Sequence, residues 1–269
     1  MFNFEETGNP SASTIVFLHG GGGGGWMWQP QVEALRDDYH LLVPDLPEHC
    51  KSAAIKPFTI DDSSTRVAEL IRATAHGGKA HVVGLSEGAQ VAIALLAAAP
   101  NLVDHAVISS ALVRDMFGMS WFRSGTWKAI YRSIEPLNKY EWWARLNARS
   151  YGIPERFLPE MIETYKSLTA EAFAHIIVEN QRFRLPVGLD KVNSPVLVVG
   201  GCKEYKVMHQ SIREVAAAIP GAKGYLVYHA EKMSLNEEHN WNLSAPRLFT
   251  RTVRAWIEGR LLPEELKPI

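Results

Sequence analysis

Six short runs constrain this chain more than any other feature: residues 14–18, 40–43, 80–83, 106–109, 196–200 and 224–228. Most are apolar at every position rather than at alternate ones. Successive side chains of a strand point to opposite faces. Runs of this kind are therefore buried on both faces, as in a mostly parallel sheet sandwiched by helices. Helical patterns fall between them, at 29–36, 61–75, 88–98, 206–219 and 246–258. Asp61 and Asp62 open the second of these with the acidic residues that complement a helix N-terminus. The alternation predicts an α/β chain with a doubly wound sheet.

One stretch breaks the alternation. From 113 to 190 no strand pattern stands out, and aromatic residues recur at helical spacing, among them Trp121, Trp127, Tyr131, Trp142 and Trp143. Pro136, Pro154, Pro159 and Pro186 divide the stretch into several helices. The reading is a core of 1–112 and 191–269 with a helical insertion at 113–190.

The third run leads into Gly84-Leu85-Ser86-Glu87-Gly88, and a helix of strong formers follows. A serine at a strand-to-helix turn sits in a strained conformation with its hydroxyl above the sheet edge. Flanking glycines leave room for the tight approach, and the helix N-terminus directs its N–H groups at the same point. Ser86 is the expected nucleophile. The first run leads into six consecutive glycines, Gly20 to Gly25, just after His19. No Lys-Ser/Thr ending and no G-x-G-x-x-G make this a nucleotide loop. It reads as an oxyanion loop of His-Gly-Gly-Gly type. The donors would be the backbone N–H groups of Gly21, helped by Gly22, and of Glu87. Each such donor contributes about 3 kcal/mol. His19 is expected to brace the loop backbone.

A base and an acid are needed later in the chain. His239 lies after the last strand-like run and before the terminal helix, and His229 is the competitor on the strand end. The fifth run ends in Gly201-Cys202-Lys203-Glu204. Glu204 is the expected acid, with Asp115 as runner-up. Glu237 and Glu238 are expected to face solvent. The order Ser86, Glu204, His239 is nucleophile, acid, base.

Composition excludes several classes. A net charge of −1 over 269 residues gives no electrostatic footprint for nucleic acid or an anionic membrane. No apolar run reaches transmembrane length, and no basic-then-apolar start reads as a signal peptide. Two distant cysteines, Cys50 and Cys202, argue against a disulfide framework and make the cytoplasm the default. The ten histidines show no metal-ligand spacing, so no metal and no cofactor are expected.

Taken together, the His19-Gly20 loop, the Pro44-Asp45-Leu46-Pro47 segment, the 84–88 elbow, the 201–204 turn and the His239 segment resemble the α/β-hydrolase superfamily. The resemblance spans the whole chain. It implies an α/β-hydrolase fold whose cap is the 113–190 insertion, placed after the strand that follows the nucleophile helix. It implies a serine hydrolase acting on a carboxylic ester or a related acyl compound, and the aromatic residues near the site point to a small, largely apolar molecule. A homodimer is the assembly it leaves open. Gly22, Trp26, Trp28, Trp127, Tyr131 and Trp143 are the expected substrate contacts, and Arg114, Arg123, Arg132 and Arg145 are available for a carboxylate. Lactonase, acyltransferase and carbon–carbon hydrolase chemistry share the same residues, and a ligand-binding protein on this scaffold is the alternative of another class. Three positions depart from the family: Cys50 stands where a glycine is usual after Glu48-His49, Glu204 where aspartate is commoner, and the leading hairpin is short or absent.

Overall fold

The structure is a computed structural model that describes residues 2–116, 118–229 and 232–269. Among these residues eight strands form one sheet: β1 Phe4–Gly8, β2 Thr14–Leu18, β3 His40–Pro44, β4 Ala80–Leu85, β5 Val103–Ser109, β6 Val196–Gly201, β7 Lys223–Val227 and β8 Leu266–Pro268. Their order is β1-β3-β2-β4-β5-β6-β7-β8. The six apolar runs are the six central strands, mutually parallel. The two edges are antiparallel additions, β1 on β3 and β8 on β7. The leading hairpin is thus one five-residue strand, paired with β3 rather than with its sequence neighbour β2.

Why the central runs are apolar throughout is visible in their packing. Val16, Leu18, Val82, Ile108 and Val198 face one core; Ile15, Phe17, Val83, Val107 and Val199 face the other. The first core lies under α2 (Ile60–Thr74), α3 (Glu87–Ala98) and α8 (Lys206–Ala218). The second lies under α1 (Gln29–Leu35), α10 (Trp241–Ser244) and α11 (Pro246–Ile257). Trp28, Trp241 and Phe249 fill that second layer with tilted rings. Each fully buried large apolar side chain stabilises by roughly 1.5–3 kcal/mol.

Among the described residues, four α-helices stand between β5 and β6: α4 Ser124–Ile134, α5 Glu141–Tyr151, α6 Leu158–Ser167 and α7 Ala170–Arg182. Gly152 closes α5 at φ 69°, and Pro159 sits in the first turn of α6. These helices pack in pairs, α4 with α7 and α5 with α6, and form the upper wall of a cavity over the carboxyl ends of β2 and β4. The chain leaves β2 towards β3 and leaves β4 towards β5. Loops diverge at that switch point, where open α/β sheets place their ligands. No helix among the described residues is long and apolar enough to cross a membrane.

Candidate active site

Ser86 sits between β4 and α3 at φ 54° and ψ −113°. A non-glycine residue adopts positive φ only where its surroundings enforce it. The surroundings here are two glycines. A Cβ on Gly84 would lie 2.5 Å from the Gly88 carbonyl oxygen, and a Cβ on Gly88 would overlap the Leu18 carbonyl. The Ser86 N–H is bound to the Ser109 carbonyl at 2.8 Å. The Glu87 N–H occupies the first position of α3, where a helix leaves its N–H groups without intrahelical partners.

The glycine loop faces this serine. Gly20 to Gly23 line the same cavity as Ser86. His19 is buried; its Nδ1 bonds the Gly20 carbonyl at 2.9 Å and its Nε2 accepts the Leu46 N–H at 2.9 Å. Burial lowers the ring to a pKa of about 4, so it stays neutral. His49, also buried, accepts the Gly22 N–H at Nε2, 3.0 Å, while its Nδ1 bonds the Pro47 carbonyl. The Gly22 N–H is therefore engaged, which corrects the expectation that it helps hold an oxyanion. Cys50 takes φ 41° in the glycine's place, so the turn is kept at the cost of a positive-φ side chain. Burial raises its thiol to about 11, and both cysteines are free.

His239 ends a short helix, α9 (Leu235–His239), capped by a Ser234–Glu237 box. Its Nδ1 lies 2.5 Å from Glu204 Oε1. Glu204 is buried, and its second oxygen accepts the Ser110 hydroxyl at 3.1 Å and the Gly201 N–H at 3.0 Å. Three donors thus fix one carboxylate. Ser110 holds φ 54° at the end of β5, with its N–H on the Val199 carbonyl. Nothing in its local sequence marks it; the signal is that β5 and β6 are neighbours. Glu238 does not face solvent. It is buried at 1% exposure and accepts the Lys203 N–H at 2.5 Å, which closes the 201–204 turn. His229 lies off the cavity, half-buried beside Trp241.

The cavity is about 440 Å³ in volume. Ser86 and His239 line it, together with Trp26, Tyr131, Trp143 and Met161. Five asparagines, 138, 147, 180, 236 and 240, add neutral polar groups, and no lysine or arginine is among the described lining residues. Arg114 pairs with Glu214, and Arg145 with Glu141 and Glu155, away from the cavity. Two expected contacts fall elsewhere. Trp28 is wholly buried between Phe17 and Phe249, because the turn at Gly25–Trp28 sends its ring into the core. Trp127, on α4, packs edge-on against Phe122 and is not among the lining residues. Trp26 does reach the cavity, its indole N–H bound to the Thr164 hydroxyl at 3.0 Å. Tyr131 stacks on Phe173 and accepts an Asn138 N–H at 2.8 Å.

Glu87 carries a wholly buried carboxyl with no hydrogen-bond partner at either oxygen. Burial pushes it well above the usual carboxyl range, and the Glu179 charge adds to the rise. His49 lies 3.7 Å away. That approach is not an ion pair: burial lowers His49 to about 3, and its facing nitrogen accepts the Gly22 N–H. Glu87 thus lies buried between the glycine loop and Ile176 of α7, its carboxyl shifted towards the neutral form.

The alpha/beta hydrolase family model matches residues 15–252, which runs from β2 into α11. The chain belongs to the alpha/beta hydrolase family. This hydrolase is 29% identical over 273 residues to an AB hydrolase superfamily protein of Gibberella zeae, covering 99% of this chain and 87% of that one. It is 25% identical over 243 residues to Lipase 3 of a Moraxella species, covering 82% and 71% of the two chains. A thermophilic esterase from Thermogutta terrifontis superposes with a TM-score of 0.74 at 18% identity, over 96% of this chain and 93% of the other. Esterase and lipase relatives support ester-cleaving hydrolase activity for this member of the family.

Proposed function

We propose that this hydrolase is a serine esterase that cleaves the carboxylic ester of a small, uncharged, largely apolar molecule through an acyl-enzyme. The observation that carries the reading is one cavity lined by Ser86 and His239, with His239 Nδ1 fixed by the buried Glu204. His239 Nε2 takes the proton from Ser86 Oγ as that oxygen attacks the ester carbonyl. Glu204 holds the tautomer that leaves Nε2 free to accept, and it stabilises the imidazolium that forms. The N–H groups of Gly21 and Glu87 receive the developing oxyanion. Position 21 leaves no room for a side chain, since a Cβ there would meet the Glu87 carboxyl at 2.8 Å. His239 then returns its proton to the leaving alcohol, and water repeats the sequence to release the acid.

The lining favours an uncharged ester. A substrate carboxylate would have to shed its water in a cavity whose described lining offers amides and no lysine or arginine. That count argues against anionic ring-cleavage products, and so against the carbon–carbon hydrolase reading. The test is turnover of nitrophenyl esters of increasing acyl length by the native protein and by Ser86→Ala. The expected result is native turnover and a loss of roughly 10⁴-fold or more in the variant. No turnover of any ester, with ligand binding retained, would favour a binding protein instead.

A further inference from the structure

The starts of β4 and β5 lie at the other end of the sheet from Ser86, roughly 16 Å along the strand at 3.3 Å per residue. In a regular strand Asp104 and His105 would point to opposite faces. A bulge breaks that rule. Ala80 pairs with Val103 and Val82 with Ala106, so the single residue His81 stands opposite both Asp104 and His105. The bulge turns three side chains to one place. Their ligand-type atoms all lie within 4.8 Å of one another. Asp104 Oδ2 is 3.2 Å from His81 Nδ1 and 3.1 Å from His105 Nδ1.

His81 is only 5% exposed, yet its Nδ1 makes no hydrogen bond, because the short approach to Asp104 is off the line of an N–H donor. Its other nitrogen lies 3.3 Å from the Ser13 hydroxyl. A neutral imidazole carries one lone pair. With the Nε2 proton on Ser13, that lone pair is at Nδ1 and faces the carboxylate. Two electron-rich atoms at this spacing are what a shared cation requires. Zinc binds imidazole nitrogen and carboxylate oxygen at about 2.0–2.1 Å, which sets a tetrahedral edge of about 3.3 Å.

We propose that His81 Nδ1, Asp104 Oδ2 and His105 Nδ1 form a binding site for a divalent first-row transition-metal cation such as zinc. Two imidazoles with one carboxylate suit zinc, cobalt or nickel rather than the all-oxygen shells of calcium and magnesium. Asp104 is half-exposed, which leaves the cation an entry path and a position for water. Ser13 supports the buried ligand from behind, as partners of ligating histidines commonly do. The cation would tie β4 to β5 where the bulge interrupts their pairing. Its place at the far end of the sheet gives it a structural role, separate from Ser86.

The test is competition for zinc between the chelator-treated protein and a chromophoric zinc indicator, with melting followed in parallel. Native protein is expected to bind one zinc and to melt higher with it. His105→Ala and Asp104→Asn change exposed or half-buried side chains and should fold; each is expected to lose at least about tenfold in affinity, as is Ser13→Ala through its support of His81. No saturable binding, or binding unchanged in both ligand variants, would overturn the site. Both readouts are independent of hydrolysis.

Discussion

At the scale of single residues, the proposed chemistry depends on how Glu204 is held. Its Oε2 takes the Ser110 hydroxyl and the Gly201 N–H, and its Oε1 faces His239. A hydrogen bond to a charged group contributes about 1.5–3 kcal/mol. Ser110→Ala is therefore expected to lower kcat by about tenfold with KM little changed, and to alter the acid limb of the kcat pH profile. A purely structural Ser110 would leave that limb in place. Glu204→Gln should cost far more activity than Asp115→Asn, since His239 Nδ1 is bound to Glu204; the reverse ranking would reassign the acid. The placement of Ser86, Glu204 and His239 at one end of the sheet was legible because each follows a strand-like run. Ser110 and Glu238 were not, because their roles depend on which strand ends lie side by side. Trp28 misled because its sequence neighbours line the cavity while its own ring turns into the core.

Among the elements, the elbow rests on a close approach between α3 and β2. A side chain on Gly88 would overlap the Leu18 carbonyl, so Gly88→Ala must push the helix from the sheet. The expected loss exceeds about 4 kcal/mol, read as a collapse in soluble yield or a large fall in Tm. Among the helices between β5 and β6, Trp143 lines the cavity and Trp127 does not. Trp143→Ala should shift the preferred acyl chain towards longer esters, and Trp127→Ala should leave the preference unchanged; equal effects would contradict this lining. The six central strands could be read because burial on both faces makes them apolar throughout. The edge strands β1 and β8 could not. Phe4–Gly8 and Leu266–Pro268 are short, carry charged residues and have one neighbour each. The bulge at His81 was equally silent, since register is a property of two strands.

Across the whole molecule, buried ionisable groups set the pH range of stability. His19 and His49 are lowered from 6.5 to about 4 and about 3 by burial. The unfolded chain binds protons at these rings first, so their contribution is complete above pH 6.5 and is lost as pH falls towards about 4 for His19 and about 3 for His49. Each contributes about 1.4 kcal/mol per pH unit across that window. Glu87 acts in the opposite sense. Its raised folded value means stability present below its unfolded 4.5 and lost as pH rises above it. Glu87→Gln is thus expected to raise Tm at about pH 8 and to leave it little changed at about pH 4; no gain at the higher pH would mean the carboxyl is ionised. Fold and site meet at the β2–β4 switch point, where the sheet delivers the glycine loop and Ser86 to one cavity. The central claim is that Ser86 receives the acyl group there. Its most direct test is peptide mapping by mass spectrometry of the protein after reaction with a fluorophosphonate, alongside rapid-mixing kinetics with a nitrophenyl ester. A single adduct on Ser86 and a burst of nitrophenol matching the enzyme concentration are expected. An adduct on another residue, or ester turnover that survives Ser86→Ala, would contradict it.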